Sequence, residues 1–182
     1  MKKILLTSAG FDNINIANRT VELIKSNVQD AKVLFVISAA VSEEQKRILP
    51  LCKREIIELG ISEENIDVYD FEYKIGNSKI KDYDLIYVAG GSTKQLLEKF
   101  DLEKLSISKF LDNGGLYVGV SAGSIAMTST YANGLNYLNC TLKVHQISGS
   151  NNGNIDSKRT APILLTDDQA VLILDSTVQI IS

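Results

Sequence analysis

The chain has one histidine, two cysteines and two prolines in 182 residues, and no apolar run long enough to cross a bilayer. Each shortage removes a class of function. A single histidine excludes a His-rich metal site. Cys52 and Cys140 are isolated thiols without the close spacing of a metal knuckle or a disulfide framework, which fits a reducing compartment. Neither sign of charge dominates: 19 basic and 22 acidic residues leave a net −3. The lysines are scattered among acids, so there is no electrostatic footprint for nucleic acid. Internal repeats, low-complexity tracts and linkers are missing as well. The start, Met1-Lys2-Lys3 followed by only Ile4-Leu5-Leu6, is too short in its apolar part for a signal peptide. The expectation is a soluble, cytoplasmic protein with no membrane partner and no cofactor. It should fold as one domain over residues 1–182, since 45% apolar composition is enough for a single substantial core.

What the chain does have is alternation. Short β-branched runs at 3–7, 32–38, 65–70, 84–88 and 116–120 read as strands, and longer amphipathic stretches between them read as helices. The first helix, about 15–26, sets Ile16, Arg19, Thr20, Leu23 and Ile24 along one stripe. A second opens on Ser42-Glu43-Glu44-Gln45, a capping box, and closes at Gly60, with Pro50 predicting a kink or a split inside it. Two more run over about 93–100 and 102–113. This order implies a mostly parallel sheet with helices on both faces, a three-layer α/β/α fold. Beyond Met127, runs at 141–144, 163–165, 170–174 and 178–181 read as short strands of a small antiparallel extension. The polar stretch 148–158 reads as a mobile surface loop.

In such sheets the ligand crevice lies beyond the carboxyl ends of the strands. Ser8-Ala9-Gly10, Ala89-Gly90-Gly91-Ser92-Thr93 and Gly119-Val120-Ser121-Ala122-Gly123 all fall there. The last lies between a strand and a helix-compatible stretch, with small residues on both sides, so the tight turn lifts the Ser121 hydroxyl above the sheet as a nucleophile elbow does. The plain alternative is a Gly-rich turn with a solvated serine. A serine nucleophile needs a base to take its proton, and His145, about two dozen residues downstream, is the one imidazole available. A carboxylate to hold that ring could come from Asp167 or Asp168, in the turn 165–169, or from Asp156. Turn chemistry alone would also account for an Asp-Asp pair. Backbone N–H groups at Gly90-Gly91 and at Ala122 could form an oxyanion hole. The same glycines would equally serve a tight strand-to-helix turn, while a phosphate cradle is disfavoured because no Lys-Ser/Thr follows at P-loop spacing. Between Ser121 and His145 the chain has no acidic residue, which argues against the Ser-acid-His order of α/β-hydrolases.

Ser121, then His145, then an acid, with Ala89-Gly90-Gly91-Ser92-Thr93 before the last core strand and Gly119-Val120-Ser121-Ala122-Gly123-Ser124 at its end, resembles the peptidase E family of serine peptidases. That family holds the aspartyl dipeptidases and, more distantly, cyanophycinase. The likeness runs from Lys2 to about Leu174 and is most specific over 88–97 and 117–126. It implies a class I glutamine amidotransferase-like fold, Ser121 as nucleophile, His145 as base, and Gly91 with Ala122 as oxyanion donors. The family's acid stands in a short turn after a strand. Leu165-Thr166-Asp167-Asp168-Gln169-Ala170-Val171 matches that context with Asp167 in its place, one methylene shorter than glutamate. The implied activity is hydrolysis of a small peptide or related amide through an acyl-enzyme. Two departures limit what carries over. The aspartyl dipeptidases have an acid soon after the nucleophile helix and an Arg-bearing segment after the histidine. Here 131–136 has no acid and only Lys158 and Arg159 stand in for that segment, so aspartyl specificity does not transfer. The departures motivate a rival reading, a non-catalytic member of the fold that binds a small ligand, and a third, an esterase of the same architecture. A homodimer is left open.

Overall fold

The structure, a computed structural model, describes residues 1–37, 39–76, 78–101, 106–156 and 158–182. In chain order the elements are β1 (Lys3–Thr7), α1 (Ile14–Leu23), β2 (Val33–Val36), α2 (Glu43–Lys46), α3 (Leu49–Glu58), β3 (Ile66–Tyr69), β4 (Leu85–Val88), α4 (Thr93–Asp101), α5 (Ile107–Asp112), β5 (Leu116–Val120), α6 (Ala122–Ala126), β6 (Leu142–Lys143), β7 (Gly153–Ile155), β8 (Ile163–Leu164), β9 (Ala170–Leu174) and β10 (Thr177–Ile181). Among the described residues, no helix is long and apolar enough to cross a membrane.

Successive side chains of a strand point to opposite faces, and the sequence exploits that period to build two cores. Ile4 and Leu6 of β1 enter one and Leu5 the other. The neighbours divide likewise: Leu34 and Val36 against Val33 and Phe35, Ile86 and Val88 against Leu85 and Tyr87, and Tyr117 against Leu116 and Val118. Strands apolar on both faces must be covered on both, which explains their continuous apolar runs. α1 and α3 cover one face through Ile16, Leu23, Cys52 and Ile56. α4, α5 and α6 cover the other through Leu96, Leu97, Phe110 and Ala122. The result is the expected three-layer α/β/α arrangement.

The main sheet has the order β3-β2-β4-β5-β1-β9-β10-β7. β3, β2, β4, β5 and β1 run parallel, and β9, β10 and β7 add an antiparallel wing. Two expectations need correction. β6 and β8 do not join the antiparallel wing; they pair in parallel as a separate two-stranded sheet. The stretch 148–158 is not simply a surface loop, because β7 lies in it and pairs with the edge of β10. Helix boundaries also shift. α1 ends at Leu23, where the Ile24 N–H turns back to the Val21 carbonyl. Arg19 leaves the buried stripe and pairs with Glu22. Pro50 splits the second helix as its missing N–H requires: α2 ends at Lys46, and α3 begins with the proline in its first turn, where no intrahelical donor is needed. The Ser42 capping box is present. Of the helix expected at 102–113, residues 102–105 lie outside the described residues and α5 supplies the rest.

Buried hydroxyls lock β5 to α6. The Ser124 hydroxyl lies 2.7 Å from the Thr7 carbonyl and 2.6 Å from that of Gly119, sharing its proton between them. The Tyr117 hydroxyl donates to the Gly123 carbonyl at 2.8 Å. Tyr117→Phe strips a buried carbonyl of that donor and is expected to lower stability by about 1–3 kcal/mol. The midpoint of urea unfolding checks this, and an unchanged midpoint would show that the joint is held by packing alone.

Candidate active site

The turn after β5 puts Ser121 where the sequence pattern expects it. Its backbone has φ 49° and ψ −103°, a conformation that costs a residue with a side chain on the order of 1–3 kcal/mol. The surroundings hold that strain in place. The Ser121 N–H donates to the Thr7 carbonyl at 3.1 Å, and its carbonyl accepts from the Ile125 N–H at 3.0 Å. α6 leans against β4 so closely that a methyl group on Gly123 would lie 2.4 Å from the Val88 carbonyl oxygen, which leaves glycine as the residue that fits.

His145 meets the elbow from the segment after β6. Its Nε2 lies 3.1 Å from Ser121 Oγ, and its Nδ1 lies 2.7 Å from Asp167 Oδ1. An ionised carboxylate only accepts, so the neutral ring carries its proton on Nδ1 and turns the lone pair of Nε2 toward the serine. Partial burial pushes the Asp167 carboxyl up, but the Ser8 hydroxyl and the His145 ring bonded to it outweigh that and hold it below the ordinary aspartate range. Both partners remain open to solvent, the His145 side chain at 51% exposure and that of Asp167 at 57%.

Ser8, fully buried at the end of β1, is what aligns them. Its hydroxyl donates to Asp167 Oδ1 at 2.8 Å and accepts from the His145 backbone N–H at 2.8 Å. Next to it, Asn13 Nδ2 donates to the Asp168 carbonyl at 2.9 Å. The loop after β1 therefore braces the turn between β8 and β9 and the backbone of the histidine together.

Ser121 and His145 line a cavity of about 350 Å³ with Ser8, Gly90 and Gly91. Gly91 has φ 139°, and a methyl group there would lie 2.0 Å from the Ala39 carbonyl oxygen, so the chain passes the cavity as bare backbone. Ala122 is the first residue of α6, so its N–H has no partner within the helix. The same cavity is also lined by acids, Asp12 and Glu55. The Tyr87 hydroxyl donates to Glu55 Oε2 at 3.0 Å, with the Tyr87 ring fixed edge-on against Phe11 and Phe35. Burial pushes the Glu55 carboxyl up to about 7, a rise to which the charge of Asp12 adds and which the Tyr87 hydroxyl opposes. Burial also pushes the Cys52 thiol up to about 11, so it stays protonated.

The structure thus brings Ser121, His145 and Asp167 together and separates the other two acids from them. Asp168 contributes its backbone carbonyl to Asn13, and Asp156 caps a turn by accepting from the Lys158 N–H at 2.9 Å. Arg159 is engaged with the carbonyls of Ala161 and Pro162, and neither it nor Lys158 lines the cavity. Sequence reasoning missed two residues. Ser8 stood in a noted turn, but its bond to a residue 159 positions away had no local signal. Glu55 looks like part of the polar face of an amphipathic helix.

Comparison with known proteins places these features. The model of peptidase family S51 matches residues 4–143, ending just before His145. An uncharacterized peptidase of Listeria monocytogenes is 29% identical over 135 residues, covering 72% of this chain and 63% of the relative. One from Listeria innocua is 28% identical over 135 residues, covering 72% and 62%. The chain thus spans under two thirds of the length of these curated relatives. A crystal structure of a protein provisionally named peptidase E from L. monocytogenes EGD-e superposes with a TM-score of 0.73 at 21% identity, covering 100% of this chain and 98% of that one. A peptidase from an acI-B1 actinobacterium superposes at 0.70 and 18% identity, covering 100% and 88%. At these identities the two structures speak for the fold, which is the one the motifs imply.

Glu55 carries a pH signature. Its folded-state pKa of about 7 stands above the ordinary 4.5, so between those values the folded chain binds more protons than the unfolded one, and stability falls as pH rises. Partial exposure to water limits the effect to on the order of 1 kcal/mol. Chemical denaturation at about pH 5 and about pH 8 should therefore show a larger loss in the parent than in Glu55→Gln. Equal losses would mean that the carboxyl is as well solvated in the folded chain as in the unfolded one.

Proposed function

We propose, on the premise that this chain belongs to peptidase family S51, that it is a serine peptidase hydrolysing a small peptide or related amide through an acyl-enzyme. The observation that carries this reading is the unbroken path of hydrogen bonds from Asp167 through His145 to Ser121 at the wall of the cavity. In this reading Ser121 Oγ attacks the scissile carbonyl carbon as its proton passes to His145 Nε2. Negative charge develops on the carbonyl oxygen and is met by the N–H groups of Gly91 and Ala122, fixed donors of the kind that stabilise a tetrahedral intermediate. The intermediate collapses as His145 returns the proton to the departing amine. Water, activated by the same ring, then attacks the ester and frees Ser121. Asp167 keeps the ring in the tautomer that faces the serine and stabilises it when charged. Ser8 is a positioning residue, since it touches the acid and the histidine backbone and no reacting atom.

The cavity volume supports a short substrate, because about 350 Å³ holds one or two residues and not a folded chain. The rival reading as a non-catalytic binding protein would be favoured by a serine and imidazole too far apart to bond and by no acid near the ring, and here both contacts are made.

Ser121→Ala should fold normally and lose turnover by on the order of 10⁶, while Asp167→Asn should lose on the order of 10⁴ because the ring can then adopt the wrong tautomer. Turnover across a dipeptide panel reads this, with circular dichroism to confirm folding. Labelling of the parent at Ser121 by a small fluorophosphonate is expected as well. A protein that neither labels nor cleaves any dipeptide would overturn the proposal.

A further inference from the structure

We propose that the cavity beside Ser121 takes a substrate residue with a cationic side chain, an ammonium or a guanidinium, and that Glu55 receives it. The inference rests on the peptidase reading for where the scissile bond sits, and on the cavity itself for the chemistry. A carboxylate drawn partly out of water raises the free energy of the site unless a positive partner compensates. Glu55 has no such partner among the described residues. Its hydrogen-bond partners are neutral, the Tyr87 hydroxyl and the Phe11 backbone, and the charge that acts on it most is another acid, Asp12. No ion pair among the described residues includes Glu55, and no lysine or arginine lines the cavity. The wall presents a carboxyl that no cation among the described residues answers.

Position decides which part of a substrate answers it. A methyl group on Gly90 would lie 3.3 Å from Ser121 Cβ, so Gly90 marks the reacting end. Glu55 stands on α3 and meets the tip of the Tyr87 ring, a ring's length away from the strand that leads to Gly90. An α-ammonium lies two bonds from a scissile carbonyl carbon and stays beside Ser121, whereas a lysine or arginine side chain spans the gap. The walls between are apolar and suit its methylene stem: Leu49 lines the cavity, and Ile48 and Leu51 stand at its rim, 53% and 54% exposed.

The test uses Ser121→Ala protein, which cannot form an acyl-enzyme, and measures by calorimetry the binding of lysyl-alanine, norleucyl-alanine and N-acetyl-lysyl-alanine, with and without Glu55→Gln. A charge-assisted hydrogen bond predicts that lysyl-alanine binds about 10-fold or more tighter than norleucyl-alanine. N-acetylation should leave that advantage, and Glu55→Gln should abolish it. Equal affinity for the lysyl and norleucyl peptides overturns the proposal, as does a lysine preference that survives Glu55→Gln. Loss on acetylation without a lysine preference also overturns it, in favour of the α-ammonium. The lysine–norleucine comparison needs no change at Glu55, so it decides the matter even if that variant misfolds. A parent protein that neither labels at Ser121 nor cleaves any dipeptide would overturn the peptidase reading alone, because the binding comparison does not depend on turnover.

Discussion

The buried hydroxyl of Ser8 is the constraint on which the site depends. A hydroxyl has one proton to give and lone pairs to receive, and Ser8 uses both: it donates to Asp167 and accepts from the backbone of His145. Those two residues arrive on segments that do not pair with each other in the main sheet, one after β6 and the other between β8 and β9. Backbone bonds join the two segments beside the pair, Leu165 N–H to the Lys143 carbonyl at 2.8 Å and Gln146 N–H to the Leu165 carbonyl at 3.0 Å, but the contact between the side chains is solvent-exposed, and an exposed ion pair contributes little on its own. Burying the shared partner removes that weakness. β1 carries Ser8 and lies between β5, which carries the serine elbow, and β9, which follows the acid. One central strand is therefore in register with both ends of the hydrogen-bond path.

The elbow shows the complementary economy. Ser121 is held in a backbone conformation that most residues avoid, and the structure tolerates this because every neighbouring group is fixed by burial: Thr7 and Gly119 through the Ser124 hydroxyl, and Gly123 through Tyr117. Strain at one residue is thus offset by satisfied polar groups at five others. α6 packs closely on β4 at Gly123, and Ala122, as its first residue, has an N–H with no partner within the helix. In the proposed peptidase reading a flexible serine would have to be ordered in each reaction, whereas this one is already in place.

The parallel core was legible in the sequence because strands buried on both faces have to be apolar throughout, so β1, β2, β4 and β5 stand out as runs. The elbow was legible because tight contact admits only small residues. What escaped has a different origin. β7 is Gly153, Asn154 and Ile155, with no apolar alternation to announce it; its strand character comes from backbone pairing with β10. β6 and β8 are two residues each, too short for any period, and their parallel pairing follows from the path of the intervening chain through β7. The choice between Asp167 and Asp168 could not be read locally either. Neighbouring residues in a turn point different ways, and it is Ser8, distant in sequence, that engages one side chain while Asn13 takes the backbone of the other.

Charge in the cavity obeys the same distinction between local pattern and tertiary placement. Along α3, Lys53, Arg54, Glu55 and Glu58 look like a solvated polar face, and three of these four leave the cavity to their neighbour. The helix turn that buries Cys52 and Ile56 in the core also carries Glu55 inward, against Tyr87 of β4. A carboxyl in that position gains a hydrogen bond but loses water, and the rise of its pKa to about 7 records that the loss is the larger. A residue needed only for stability would do better as glutamine or a hydrocarbon, which can fill the space without an uncompensated charge. An acid at this position costs stability when it stands alone and would gain from a cation beside it, which is the physical ground of the proposed binding role.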